Sequence, residues 1–331
     1  MLMASPERTV PPASGDALEL SVVVPTYNRI DTLRYVLPAL LEQTLPATGY
    51  EVVLADSLST DGTGAYVEEL VRTHGARRLR HLPGAYSGRA AARNAGIAAA
   101  RAPIVLFTDA DIIPSADLLE RHLAAHRIAQ DRRRAIVGCE LQVRSLDDYR
   151  EQRDREAARK PLHPATRRRL SWLYFLTGNA SVRREDLLAA GSFDESFTGY
   201  GHEDLELGYR LQKAGVEIRY EPRALNYHWH PVLYEEQIGR MELAGRSTVR
   251  FYRKHRDFAV QANLGMTPVS LALHSVLQAA APLRRAIERA GAAEASPRKN
   301  TWPYIARQIA YQYHYLSGVK QALREPDGAS R

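Results

Sequence analysis

The sequence is poor in cysteine and contains no long uninterrupted apolar run. Cys139 is the only cysteine among 331 residues, which excludes an intramolecular disulfide and a cysteine-based zinc cage. No apolar stretch reaches the roughly 18 to 20 residues that a membrane-spanning helix needs. The first residues, MLMASPERTVPPASGDA, lack the basic start and apolar core of a secretory signal. We therefore expect a reducing, cytoplasmic setting, with residues 1–17 as a disordered leader.

The formal net charge of +7 is unevenly distributed along the chain. Residues 232–331 hold 15 Lys and Arg and 8 Asp and Glu, a surplus of 7, which leaves 30 of each sign in the first 231 residues. A basic surplus suits an anionic surface of lipid headgroups or nucleic acid, and a merely soluble basic tail explains it equally well. No nucleic-acid partner is expected, because residues 1–231 are neutral and no binding motif is present.

Short apolar runs alternate with helical patterns over residues 18–231. The runs LELSVVVPTYNR, YEVVLADS, RRLRHLP and PIVLFTDADIIP are typical of buried strands. This alternation predicts an α/β domain in which helices flank both faces of a mostly parallel sheet. Asp147–Phe175 is rich in charge and interrupted by prolines, which predicts an exposed helix and loop.

From Tyr234 onward the pattern is helical, so we treat residues 232–331 as a basic helical C-terminal region. Its last segment, PYIARQIAYQYHYLSGVKQALRE, places an apolar stripe on one helix face: Ile305, Ile309, Tyr313, Leu316 and Leu323. The stripe either packs on the domain or lies in a membrane interface.

Polar clusters follow three of the predicted strands. They are Thr26–Arg29, Asp56–Asp61 and Asp109–Asp111. In open α/β sheets, ligands bind in the crevice outside the carboxyl ends of the strands, so we expect the clusters to face one crevice. Asp109 and Asp111 lie two residues apart, so on a strand their side chains would point to the same side.

Five motifs occur in order: VVVPTYNR, STDGT, GRAAARNAG, FTDADIIP and GHEDLELGYRL. Together they resemble the family 2 glycosyltransferases of the GT-A fold, over Ser21–Pro231. The part from FDESF to HWHP is also similar to galactosyltransferase-like and chondroitin-polymerase-like enzymes. The resemblance implies a Rossmann-like GT-A domain that moves a sugar, with inversion, from a UDP-sugar to an acceptor hydroxyl.

The resemblance implies donor-binding roles for a set of matching positions. These are Pro25, Thr26, Tyr27, Arg29, Asp56, Gly88, Arg89, Arg93, Asn94, Asp109, Ala110, Asn179, Gly201 and His202. Asp56 matches the acid that accepts a hydrogen bond from the uracil N–H. The chain reads ADSLSTDGT where DDGSTDGT is common, so Ser57 and Leu58 replace an acid and a glycine. A helix N-terminus and guanidinium groups are natural partners of the diphosphate.

The resemblance also implies a metal site and a base. Asp111 matches the direct ligand of Mn²⁺ (or Mg²⁺), and His228 or His230 would complete the site. His228 is preferred because family members place a histidine where this strand ends. Asp204 matches the catalytic base, and Glu203 would bind hydroxyls of the acceptor or donor. One base is enough, because the leaving diphosphate needs no protonated acid when a cation neutralises it.

The acceptor is expected to be a carbohydrate or lipid-linked molecule in surface polysaccharide, glycolipid or lipid-linked oligosaccharide synthesis. The basic C-terminal region would then lie on an anionic membrane, at the inner face of the plasma membrane. One alternative is a protein- or metabolite-directed glycosyltransferase whose C-terminal region forms a homodimer. Another is a non-catalytic scaffold that binds nucleotide-sugars, against which the intact Asp109, Asp111 and Asp204 argue.

Overall fold

The computed structural model describes residues 17–128, 132–157, 169–293 and 301–326. Eight strands form one mixed sheet in the order β3-β2-β1-β4-β7-β6-β8-β5. The strands are β1 Leu20–Thr26, β2 Tyr50–Asp56, β3 Leu79–Pro83, β4 Ile104–Phe107, β5 Ile112–Pro114, β6 Arg134–Val143, β7 Ala180–Arg183 and β8 Glu217–Trp229. The first four pair in parallel, β7 is antiparallel to both its neighbours, and β5 is antiparallel to β8. The predicted α/β class with a sheet flanked by helices is confirmed.

Helices connect the strands and continue to the C-terminal part of the chain. Those of the sheet half are α1 Ile30–Leu41, α2 Thr63–His74, α3 Arg89–Ala99, α4 Leu118–Arg127, α5 Leu146–Ala157, α6 Arg184–Ala189 and α7 Glu203–Lys213. Those beyond are α8 Tyr234–His255, α9 Phe258–Asn263, α10 Pro268–Ala279, α11 Ala281–Ala292 and α12 Trp302–Arg324.

The core lies on both faces of the central strands. Every residue of β1 is buried, and alternate positions serve different clusters: Val23 packs with α3, while Val22 and Val24 pack with α1. Helix α3 lies close to the sheet, because a Cβ added at Gly96 would be 2.3 Å from Val23 Cγ1. This packing holds the N-terminus of α3 at the carboxyl end of β1.

The run Pro103–Pro114 is not the single strand that its sequence predicts. β4 lies in the middle of the sheet, whereas β5 pairs with β8 at the margin, so Asp109 and Asp111 lie in the turn between two distant strands. The two carboxylates are therefore not oriented by strand alternation. The turn directs them to different partners.

The C-terminal helices pack through small residues. A Cβ at Gly245 of α8 would be 2.0 Å from the Tyr315 carbonyl oxygen, and one at Gly318 of α12 would be 2.0 Å from that of Glu242. The buried face of α12 carries Ala306, Ala310, Leu316, Gly318, Val319 and Ala322. Of the predicted stripe only Leu316 is buried, because close helix approach selects small residues rather than large ones.

Several expectations concern residues at the limits of the described ranges. The predicted leader lies outside them except for Ala17, as does much of the predicted exposed loop, at 158–168. Among the described helices, no single one has the length and hydropathy of a membrane span. One consecutive pair, Phe258–Ala279 with Ala281–Ala292, meets those two criteria together but bends by 98° between its halves.

Candidate active site

A cavity of about 540 Å³ opens at the carboxyl ends of β1, β2 and β4. Its size is within the usual range for a small-ligand site. It is lined by Pro25, Thr26, Tyr27, Arg29, Ser57, Tyr86, Ser87, Gly88, Arg89, Ala92, Asp109, Ala110, Asp111, Tyr200, His228, His230 and Arg240. The predicted polar clusters after β1 and β4 each supply three of these lining residues, and the cluster after β2 supplies only Ser57.

Arg93 connects the start of α7 to the turn that follows β4. Its guanidinium is buried and donates to Asp109 Oδ1 at 2.8 Å and to Glu203 Oε1 at 3.0 Å. Burial alone would lower the pKa of Arg93, but the two carboxylates raise it above its ordinary value. Glu203 is buried in this pair, and its Oε2 makes no hydrogen bond within the described residues, so its expected role in binding hydroxyls stays a prediction.

Asp204 follows Glu203 in the first turn of α7 and is half-buried. Burial and the negative charge of Glu203 raise the pKa of Asp204 to about 7, against the lowering effect of Arg93. Asp109 adds a further raising effect, which shows that the turn after β4 and the start of α7 share one electrostatic environment. A carboxyl with a pKa near 7 is suited to accept a proton at neutral pH.

Asp111 faces both predicted histidine ligands. Its Oδ1 is 3.6 Å from His228 Nε2, and its Oδ2 is 3.5 Å from His230 Nδ1. Burial and the charge of Asp109 raise the pKa of Asp111. Among the described residues, no three His, Cys, Asp or Glu side chains form a complete metal cage. Asp111, His228 and His230 instead line one end of the cavity without enclosing it.

The outer contacts distinguish the two histidines. His228 Nδ1 lies 3.1 Å from Glu140 Oε1 and 3.2 Å from Gln142 Nε2. When Nδ1 donates its proton to the Glu140 carboxylate, the Nε2 lone pair faces Asp111. His230 Nε2 lies 2.6 Å from an Arg240 nitrogen, which can only donate, so Nε2 must be the acceptor and Nδ1 must carry the proton. In these tautomers, His228 is the better metal ligand.

Arg240 and Tyr200 are cavity residues that the predicted site set lacks. The Tyr200 ring lies between two guanidinium groups, with Arg89 5.3 Å and Arg240 5.2 Å from its centre. Arg240 belongs to α8, where no motif drew attention to it. Tyr200 stands between glycines in TGYGHED, and an aromatic ring in such a loop was the available signal.

Asp56, Asn94 and Asn179 lie outside the cavity lining. Asp56 is buried at the end of β2 and accepts from the Ser59 backbone N–H, and Asn94 binds the Phe193 backbone in both directions. Asn179 donates to the Ala224 carbonyl from within the core. These contacts are structural, so the donor roles of the three residues stay predictions that no cavity contact supports.

Gly201 and the His202 side chain also lie outside the cavity lining, next to α8. Both have positive φ, and His202 Nε2 is 2.7 Å from Thr248 Oγ1 on α8. A Cβ at Gly201 would be 3.6 Å from the Ala244 Cβ, also on α8. Burial lowers the pKa of His202 to about 4, so this imidazole is neutral. The expected place of His202 beside the donor is corrected to a contact with the C-terminal helices.

Two family models match the chain. The model of glycosyl transferase family 2 matches residues 21–190, and that described as the N-terminal domain of galactosyltransferase matches residues 162–230. The first covers half of the chain and includes the cavity residues after β1, β2 and β4. The chain belongs to glycosyl transferase family 2. The resemblance inferred from the motifs is therefore confirmed.

Individual relatives of this family 2 member are named for different activities. It is 31% identical to validoxylamine A glucosyltransferase of Streptomyces hygroscopicus subsp. jinggangensis, covering 74% of this chain and 63% of that one. It is 27% identical to chondroitin synthase of Escherichia coli, covering 71% and 39%. The chain thus spans less than two thirds of the length of either relative.

A solved structure supports the GT-A fold. The mannosyltransferase PcManGT from Pyrobaculum calidifontis, in complex with GDP-Man and Mn²⁺, aligns over 92% of this chain and 87% of its own. The TM-score is 0.63 at 24% sequence identity. This similarity extends beyond the sheet half to the C-terminal helices.

Proposed function

We propose that this chain transfers a sugar, with inversion, from a UDP-sugar to an acceptor hydroxyl, with Asp204 as the base. The observation that carries the proposal is the Arg93 bridge between Asp109 and Glu203. It places the end of the donor cavity beside the start of α7, where Asp204 has a pKa of about 7.

The cavity has the charge distribution that a nucleotide diphosphate requires. Arg29, Arg89 and Arg240 supply positive charge along its lining, and Gly88 lies at the N-terminus of α3, where backbone N–H groups favour an anion. Guanidinium groups bind phosphate oxygens in a bidentate manner, which fixes the orientation of the diphosphate. Tyr27 is largely exposed at the rim and is available to a base or ribose.

The donor set at Asp111 fits a divalent cation. Ligand atoms about 2.1 Å from a shared ion lie about 3 to 4 Å from each other, in agreement with the spacing of Asp111 and His228. Asp111 and His228 would hold Mn²⁺ (or Mg²⁺), with His230 as the less suitable ligand. When bound, the ion supplies charge stabilisation to the departing diphosphate. Such stabilisation requires no acid from the protein.

Proton transfer is assigned to the chain itself. Asp204 accepts the proton of the acceptor hydroxyl while that oxygen forms its bond to the anomeric carbon. The bond from that carbon to the diphosphate oxygen breaks on the opposite face, and its electrons leave with the nucleotide. Arg93 positions Asp109 and Glu203, and its charge limits the rise in the pKa of Asp204.

Two acceptor classes are supported by the relatives. Similarity to chondroitin synthase supports a carbohydrate acceptor, and we keep surface polysaccharide, glycolipid or lipid-linked oligosaccharide as the proposal. Similarity to validoxylamine A glucosyltransferase favours a small-metabolite acceptor as the second candidate. A cytoplasmic location at the inner face of the plasma membrane, contact of the basic C-terminal region with anionic lipid, and a homodimer all stay predictions.

The proposal is tested by nucleotide release from a panel of UDP-sugars and GDP-mannose, with Mn²⁺ and with each acceptor class. We expect Asp204→Asn to lower turnover about 10²- to 10⁴-fold while donor affinity is retained. Asp117→Asn, at the start of α4 and outside the cavity, serves as the matched control. Full turnover by Asp204→Asn would refute the assignment, and donor binding without turnover on any acceptor would favour the scaffold.

A further inference from the structure

Helix α10 exposes aliphatic side chains on its outer side. Val269, Leu273 and Val276 recur at helical spacing and are 69%, 65% and 67% exposed. Its inner side carries buried His274, which stacks on Tyr313 with ring centres 4.6 Å apart, together with the half-buried Leu271 and Leu277. The outer side of an ordinary surface helix is polar, so the outer side of α10 is unusual.

The exposed side chains form one uncharged surface. We call Val269, Leu273 and Val276 the α10 face. Helix α10 contains no charged residue. A contiguous aliphatic surface without charge is unfavourable in water and is typical of an interaction site.

Exposed cations lie on α11, the helix that follows the α10 face after a break of one residue. Arg285 and Arg289 of α11 are exposed, and no carboxylate in the described part of the chain forms an ion pair with either. Glu288, between them in sequence, turns inward and lies 3.7 Å from Arg284 and 3.4 Å from His314. The helix next to the aliphatic surface therefore exposes unneutralised positive charge.

We propose that the α10 face docks on an anionic lipid bilayer, with α10 lying parallel to the membrane surface. An interfacial helix inserts its aliphatic side chains among the acyl chains, while nearby arginines contact anionic headgroups. A second copy of the chain is a poorer occupant, because α10 offers no carboxylate and Glu288 of α11 is already paired, so the arginines of a partner copy would find no opposite charge.

The proposal assigns membrane contact to α10 and α11 rather than to the apolar stripe expected on α12. Ile305 and Leu323 of that stripe are only 44% and 42% exposed, less than the three residues of the α10 face. Sugar transfer and membrane docking are separate properties here. Loss of docking leaves the donor cavity intact, so water-soluble substrates distinguish failure of one from failure of the other.

The test is co-sedimentation of the full chain with vesicles of phosphatidylcholine, with or without phosphatidylglycerol. We expect binding to the anionic vesicles and an about tenfold or greater loss of affinity in the double variant Leu273→Glu, Val276→Glu. Leu188→Glu, on the exposed surface of α6, is the matched control and keeps wild-type binding. Because all three positions are exposed, the variants keep the wild-type melting temperature and nucleotide release in solution.

The second variant pair tests the charge requirement. Arg285→Gln with Arg289→Gln should remove the preference for anionic vesicles, with little change on neutral ones. Equal vesicle binding by the wild type and the glutamate variant would overturn the proposal. So would resistance of bound protein to alkaline carbonate, which indicates an inserted helix pair. A dimer in sedimentation velocity that Leu273→Glu disrupts would assign the face to a second copy instead.

Discussion

The sheet half and the C-terminal helices differ in what they bury. The sheet half buries charge beside its cavity: Arg93, Glu203 and Asp56 are all nearly inaccessible. The C-terminal helices bury glycine and alanine, and expose aliphatic side chains on the α10 face. Burying a charge is costly unless the geometry is fixed by partners, so such groups are retained where electrostatics are needed. The sheet half is therefore suited to chemistry, and the C-terminal helices are suited to close helix packing and to contact with another surface through the α10 face.

One charged cluster belongs to both parts. Glu206 of α7 is fully buried, accepts from Arg210, and contacts Lys254 and His255 of α8 at 2.8 Å. These contacts give Glu206 a structural role. Arg240 joins the two parts in the same way at the cavity, so residue 231 separates them in sequence but not at the site.

The largest expected effect is the loss of the Arg93 bridge. Arg93→Met should lower the free energy of unfolding by about 3 to 5 kcal/mol, because it leaves two carboxylates without their buried partner. Arg246→Met removes a half-exposed pair with Glu325 in the C-terminal helices and should cost under about 1 kcal/mol. Urea denaturation compares the two. Equal losses would show that buried charge does not distinguish the two parts.

The helix crossing gives the next largest effect. Gly245→Ala should lower the free energy of unfolding by about 1 to 3 kcal/mol, because its Cβ would overlap the Tyr315 carbonyl and separate α8 from α12. Gly239→Ala, on the same helix with nothing within 4 Å, should instead stabilise by about 0.5 to 1 kcal/mol. Thermal melting of both variants measures the contrast. A neutral Gly245→Ala would mean that the helices do not approach this closely.

The pH dependence distinguishes two carboxyls on the same helix. Because burial and Glu203 raise the pKa of Asp204 to about 7, kcat/KM should fall about tenfold per pH unit below that value and level off above it. The Glu206 pKa is lowered, since its hydrogen bonds to Arg210, Lys254 and His255 outweigh its burial. A rate profile that stays level down to pH 5 would exclude Asp204 as the base.

The same two groups make the free energy of unfolding depend on pH, with opposite signs. Between about pH 4 and 7, folded Asp204 holds a proton that the unfolded chain has released, so its contribution to stability falls as pH rises. Asp204→Asn should therefore raise the melting temperature at pH 8 and have little effect near pH 4. Glu206 has the opposite sign: its contribution is present above its unfolded pKa and is lost in acid.

The smallest expected effect is on donor binding by Arg240, the residue of α8 that lines the cavity. Arg240→Ala should raise the donor KM about tenfold with a smaller change in kcat, because one charged contact to a phosphate is lost. Arg250→Ala, on the same helix but facing Phe197, is the control and should keep the wild-type donor KM. Steady-state kinetics with a UDP-sugar compares them. An unchanged KM in Arg240→Ala would confine the donor site to the sheet half.

Local sequence pattern was enough for most of the sheet and helices. The run IVLFTDADIIP predicts one strand because apolar residues stand on both sides of TDAD. The structure divides it into two strands, because Ile112–Pro114 pairs with β8, and this pairing is not visible in the local sequence. The contact of Arg93 with Glu203 spans 110 residues, and no periodicity encodes it. Arg240 was missed because an arginine on an amphipathic helix resembles a solvated one. Asn94 and Asn179 matched motif positions, but their amides hold loops and strands together.

The turn carrying Asp109 and Asp111 connects β4, in the middle of the sheet, to β5, a three-residue strand at its edge. Edge strands open locally at a lower free-energy cost than central ones. A donor bound to this turn would therefore stabilise the edge strand, and its first effect on the protein would be slower hydrogen exchange in β5.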